Sequence, residues 1–110
     1  MTTMYFVPHR LAIQDEEEIV RYFVKNSSEQ IAVGFVNALD NAFSQLSQYP
    51  HMGSPRPEHD LDFEGVRAWS LRRFPHQIYY NVHDDHVELW RILHPRLDIT
   101  QAMLSDQRLQ

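Results

Sequence analysis

Between residues 67 and 96 the sequence gathers Arg67, Arg72, Arg73, Arg91, His94 and Arg96, with Tyr79, Tyr80 and Trp90 among them. Guanidinium groups neutralise phosphate or carboxylate oxygens, and imidazole exchanges protons near neutral pH. Such a set could stabilise phosphate charge and shuttle a proton in RNA cleavage, with Arg67, Arg72 and His94 as the catalytic groups. It could equally grip a protein target or partner through Arg67, Arg72, Arg91, His94, Arg96, Asp98, Trp90 and Tyr79, apolar residues at the centre and Arg91 or Arg96 at the rim. Ordinary charged strand surfaces with aromatics turned into a core would explain the same letters.

Other chemistries find less support. His83-Asp84-Asp85-His86 carries metal-ligand types, but a hairpin tip does not make ligands converge, and polar turn residues account for the run. No metal is expected. There is no cysteine, and no serine stands in a glycine-flanked strand-to-helix turn, so a nucleophilic hydrolase is not indicated. The 3 glycines stand far apart, which excludes a phosphate-cradling loop, and no cofactor is expected.

The elements that would carry these residues follow from periodicity. Val66 to Arg72, Gln77 to His83 and His86 to His94 read as three consecutive antiparallel strands, with Phe74-Pro75 and Asp84-Asp85 as breaks. A two- or four-residue loop at Asp84-Asp85 pairs Val82 with Val87, Tyr80 with Leu89 and Ile78 with Arg91; on the other face Asn81 meets Glu88 and Tyr79 meets Trp90. One face is then aliphatic, and the other, mixed face is expected to stay open for function.

Upstream, Met4 to Val7 reads as a further strand whose place in the sheet the pattern leaves open. Leu11 to Val24 has helical spacing, and its acids Asp15, Glu16, Glu17 and Glu18 read as a solvated face. Asn26-Ser27-Ser28 separates it from a second helix, with Ser27 as the expected N-cap and Gln30 in the capping-box position. Ile31, Ala32, Phe35, Ala38, Leu39, Ala42, Phe43 and Leu46 then form one apolar stripe ending at Tyr49-Pro50. So short a link implies an antiparallel helical hairpin. Residues 50 to 65 read as an irregular connection, and Asp98 to Leu104 as a short C-terminal helix. The expected fold is α+β, in the order β-α-α-β-β-β, with the hairpin on one face of a small antiparallel sheet.

With 110 residues, 43% of them hydrophobic, one domain spanning 1–110 is expected. No long apolar run suggests a membrane span or signal sequence, and a cytoplasmic setting is expected. A formal charge of -5 and a single lysine, Lys25, argue against strong direct nucleic-acid binding. The charge is uneven: acids dominate residues 11 to 65, while the strand region is mildly basic.

The run from Arg67 through Asp98, with F-P-H-x-I-Y-Y, D-D-x-V-E-L-x-R-I-L-H and R-x-D at its centre and end, resembles the RelE/ParE superfamily of type II toxin-antitoxin toxins, the ParE branch most closely. Ala12, Asp15, Ile19, Tyr22, Ala32, Phe35, Leu39, Ala42, Leu46, Pro50, Gly53 and Arg56 extend the resemblance upstream, and it covers about residues 5 to 104. It implies a small cytoplasmic toxin of a plasmid-stabilisation kind, held in a toxin-antitoxin hetero-oligomer. ParE-like members are associated with poisoning DNA gyrase, RelE-like members with cleaving messenger RNA on the ribosome. The tail LSDQRLQ lacks the tyrosine and lysines of RelE-type chemistry, and an acidic chain would be repelled by ribosomal RNA, so gyrase inhibition is the expected activity. The alternatives are the ribosome-dependent endoribonuclease and an inactivated relative that only binds its antitoxin. Glu16, where the family usually has an aliphatic residue, and Pro95 and Leu97, where a basic string is common, are departures.

Overall fold

The computed structural model of the chain describes residues 4–55 and 65–94. In order these form β1 (Tyr5–Pro8), α1 (Arg10–Asn26), α2 (Glu29–Gln48), a 3-10 turn (Pro50–Met52), β2 (Ser54–Pro55), β3 (Arg67–Ser70), β4 (Gln77–Val82) and β5 (His86–Leu93). The two helices pack on a small sheet, as the sequence predicts. The sheet is mixed, in the order β1-β5-β4-β3-β2: its pairs are antiparallel except for β1, which lies parallel to β5 at the edge. The expected helix over Asp98 to Leu104 lies outside the described residues.

The hairpin forms where two short caps stop and restart the chain. His9 caps α1, its Nδ1 accepting from the Leu11 N–H at 3.2 Å. Ser28, not the expected Ser27, caps α2: its Oγ accepts from the Ile31 N–H at 3.1 Å. The shift moves Ile31 into the third helical position, so Gln30 closes no capping box. Phe35, Leu39, Ala42 and Leu46 bury the predicted α2 stripe, joined by Ala12, Ile78, Tyr80, Val87, Leu89 and Ile92 in one core.

Strands β4 and β5 keep the predicted register through Val82↔Val87, Asn81↔Glu88 and Tyr80↔Leu89. A bulge then shifts it, so that Tyr79 faces Arg91 and Ile78 faces Ile92, in place of the expected Tyr79–Trp90 and Ile78–Arg91 pairs. Strict alternation would have driven a guanidinium into the aliphatic face. Inserting one residue puts Ile92 there instead.

The mixed face of the sheet is not open at its centre. Val66, Ala68, Tyr79 and Leu93 form a second buried cluster with the half-buried Trp90 against it, and Tyr79 is 0% exposed. The expectation of a bare second face is overturned here: the bulge adds Leu93 to the side that already carried Tyr79 and Trp90. Among the described residues no helix is long and apolar enough to cross a membrane.

Candidate partner-binding groove

Most of the sequence-predicted site residues are engaged within the fold. Arg91 is held by a carboxylate from α1: its Nε donates to Asp15 Oδ2 at 2.7 Å and a terminal nitrogen donates to Oδ1 at 2.8 Å. Asp15 Oδ2 also accepts the backbone N–H of Ile92 at 3.0 Å. Strand β1 has ended by this level of β5, and Asp15 supplies the acceptor in its place. Arg91 and Asp15 are only 14% and 9% exposed as side chains, so the pair is a buried brace between α1 and β5 rather than a rim contact.

Arg67 braces the connection after α2. It donates to the carbonyls of Gly53 at 2.7 Å and His51 at 3.2 Å. Tyr80 completes the clamp, its hydroxyl accepting from the Gly53 N–H and donating to the Pro50 carbonyl, both at 2.9 Å. Burial raises the Tyr80 pKa, opposed by the Gly53 hydrogen bond and by Arg67. Tyr79 is buried and donates to Gln77 at 2.9 Å, and Trp90 lies at the bulge. Arg96 and Asp98 lie outside the described residues.

His94 meets His76 edge-on, ring centroids 5.2 Å apart. His76 is itself buried among Phe23 and Phe35, and its Nδ1 has no hydrogen-bond partner among the described residues. Burial, with the neighbouring His94 second, pushes its pKa from 6.5 down to about 4, so the ring is neutral at pH 7. At the hairpin tip, His83 pairs with Glu88 at 3.1 Å and His86 with Asp85 at 2.7 Å, the two imidazoles stacked. The hydrogen bond from His86 lowers the Asp85 pKa. Among the described residues no three His, Asp or Glu side chains are placed to hold a metal ion.

Arg72 is the exception: it remains exposed and makes no ion pair among the described residues, and Arg73 does likewise. Both stand on the turn from Leu71 to His76, which the Leu71 N–H closes onto the His76 carbonyl at 3.1 Å. Arg73 holds φ at +71°, a left-handed conformation uncommon for a residue with a side chain. The next residue, Phe74, packs edge-on against Phe35 of α2 and Phe23 of α1, at 5.3 and 5.6 Å between centroids. The ring straddles the seam of the hairpin.

Between this turn and α2 runs a groove of about 730 Å³. Arg72, Arg73, Trp69 and Phe74 line one side. The other is helix surface that offers the amides of Asn37, Asn41 and Gln45, spaced four residues apart and therefore in one row. Exposed guanidinium forks beside carboxamides and aromatic faces suit carboxylates carried on a polypeptide. Of the expected site residues that are described, Arg72 alone lines this groove; Arg67 is at the 3-10 turn and His94 on the opposite side of Phe74. The amide row and Trp69 were not singled out from the sequence, although uncharged amides four apart on an otherwise exposed helix face are a readable signal.

Two helices packed as a hairpin on a small mixed sheet in this strand order give the α+β fold of RelE/ParE-like toxins. A family model described as the ParE toxin of the type II toxin-antitoxin system parDE matches residues 6–99, and the chain belongs to that family. It is 28% identical over 89 residues to Toxin ParE3 of Caulobacter vibrioides, a match covering 81% of this chain and 84% of that protein. Its fold is similar to a chain of the chromosomal ParDE toxin-antitoxin system from P. aeruginosa, with a TM-score of 0.69 and 23% identity, over 86% of this chain and 98% of that one.

Proposed function

We propose that this ParE toxin acts by binding: it inhibits DNA gyrase, and a cognate antitoxin neutralises it by laying an acidic segment into the groove between α2 and the Leu71 to His76 turn. The observation that carries the binding mode is the pair of exposed guanidinium groups, Arg72 and Arg73, beside a row of amides in a chain of net charge -5. Carboxylates of the antitoxin would take forked hydrogen bonds from the arginines, and the amides would satisfy its backbone.

The ribonuclease alternative needs Arg67, Arg72 and His94 to converge on one phosphate. They stand instead at the 3-10 turn, in the α2 groove and beside His76. Arg67 and Arg91 are already committed to Gly53 and Asp15, which leaves binding as the reading with groups to spare. The test is titration of the purified chain with the antitoxin encoded beside it. We expect Arg72→Glu to weaken the complex at least about tenfold. Wild-type affinity in that variant would refute the groove as the antitoxin's seat.

A further inference from the structure

Phe74 separates the Arg72 groove from a second one on the α1 side, of about 410 Å³, walled by Ile19, Tyr22, Phe23, Phe74 and Pro75. We propose that this second groove seats one large apolar side chain of the antitoxin flanked by a lysine or arginine, so that the antitoxin crosses the Phe74 ridge. The proposal rests on the antitoxin reading above and adds to it a second contact of different chemistry.

Three features argue for an occupant of this kind. The walls are aliphatic and aromatic, and Tyr22 stands 60% exposed at their edge, so an inserted apolar side chain would bury surface that water now covers. At the floor, the His76 ring is 6% exposed with its Nδ1 unpartnered, a polar atom already removed from most water that an incoming N–H or O–H could satisfy. At the rim, Glu18 carries a carboxylate with no ion pair among the described residues, next to Glu17 on the same helix. A basic side chain beside the apolar anchor would meet that charge. A second copy of this chain is the less suitable occupant, because a two-fold contact through the groove would bring the same α1 acids face to face.

The ridge explains why both contacts can belong to one ligand. Phe74 borders both grooves and is itself pinned by Phe23 and Phe35, so the distance between the two seats is fixed by packed rings rather than by the exposed turn.

The experiment is calorimetric titration of full-length antitoxin into the wild-type chain, Glu18→Arg and Tyr22→Ala, with the imidazole nitrogen signals of His76 followed by NMR in the free and bound protein. Both substitutions fall at exposed positions, and circular dichroism confirms that each variant is folded. We expect each to weaken Kd at least about tenfold and the Nδ1 signal to move on binding. Wild-type affinity in both variants with an unmoved Nδ1 signal overturns this contact and leaves the Arg72 groove standing. No binding by the wild-type chain overturns the antitoxin reading itself. A dimer of the chain that Tyr22→Ala disperses, with antitoxin affinity unchanged, assigns the groove to a second copy and also overturns the proposal.

Discussion

Four acids in a row, Asp15 to Glu18, follow the first turn of α1, and only Asp15 among them is buried. All four read from the sequence as a solvated face; for Glu17 and Glu18 that holds, but for Asp15 it does not, because Asp15 falls in the stripe with Leu11, Ala12 and Ile19 and is buried there. Removing it leaves the Arg91 guanidinium and the Ile92 N–H without that acceptor. We expect Asp15→Ala to cost about 3–5 kcal/mol in urea denaturation, and Asp15→Ala combined with Arg91→Met to cost less than the sum of the two single changes. Full additivity would show that the pair is not coupled. His76 carries a second residue-scale expectation. Its folded pKa lies below its unfolded value, so the unfolded chain binds the proton first, and the contribution present above pH 6.5 is lost as the pH falls toward about 4. Stability measured from pH 7 to 4 should fall less steeply in His76→Phe than in the wild type; identical slopes would remove His76 from the account. Glu16 has the opposite sign. Burial first, then Asp40 and Glu17, raise its pKa, so its charge opposes folding near neutral pH and Glu16→Gln should raise Tm at pH 7.

The hairpin and the strand pairs were legible because each is a repeat: three-four spacing along α2, alternation from Ile78 to Val82 and from Val87 to Leu89. What was hidden depends on where one element meets another. The bulge opposite Tyr79 leaves only a local sign, the break in alternation at Arg91-Ile92. The parallel partnership of β1 with β5 joins residues about eighty positions apart, and no local pattern records it. The Arg72 groove likewise needs α2 and the turn to be in place together, so the sequence marked Arg72 without the amides that face it. Element packing carries its own expectation at Gly53, where the backbone is ordinary extended chain but a Cβ would collide with the Tyr80 hydroxyl oxygen and the ring edge beside it. Gly53→Ala should therefore destabilise, and Tyr80→Phe should cost about 1–3 kcal/mol by leaving the Gly53 N–H unpaired. At Gly34 a Cβ would meet Phe74 at an ordinary 3.8 Å, so Gly34→Ala in the middle of α2 should gain about 0.5–1 kcal/mol. A loss there would mean that Phe74 sits closer to α2 than its ring contacts indicate.

At the scale of the molecule, an acidic chain presents two exposed arginines, Arg72 and Arg73, on one turn, between a groove lined with amides and another lined with apolar rings and Glu18. Such an arrangement favours a partner of mixed charge, and its affinity for the antitoxin should fall as salt is raised. Because these surfaces are joined to the fold through Phe74, the proposed mode of binding does not require the sheet's mixed face to be bare and is compatible with the buried cluster around Tyr79. The most direct test of the whole account is a gyrase supercoiling assay with the purified chain. Supercoiling should be inhibited in proportion to added toxin and restored by the antitoxin; undiminished supercoiling in the presence of folded protein would contradict it.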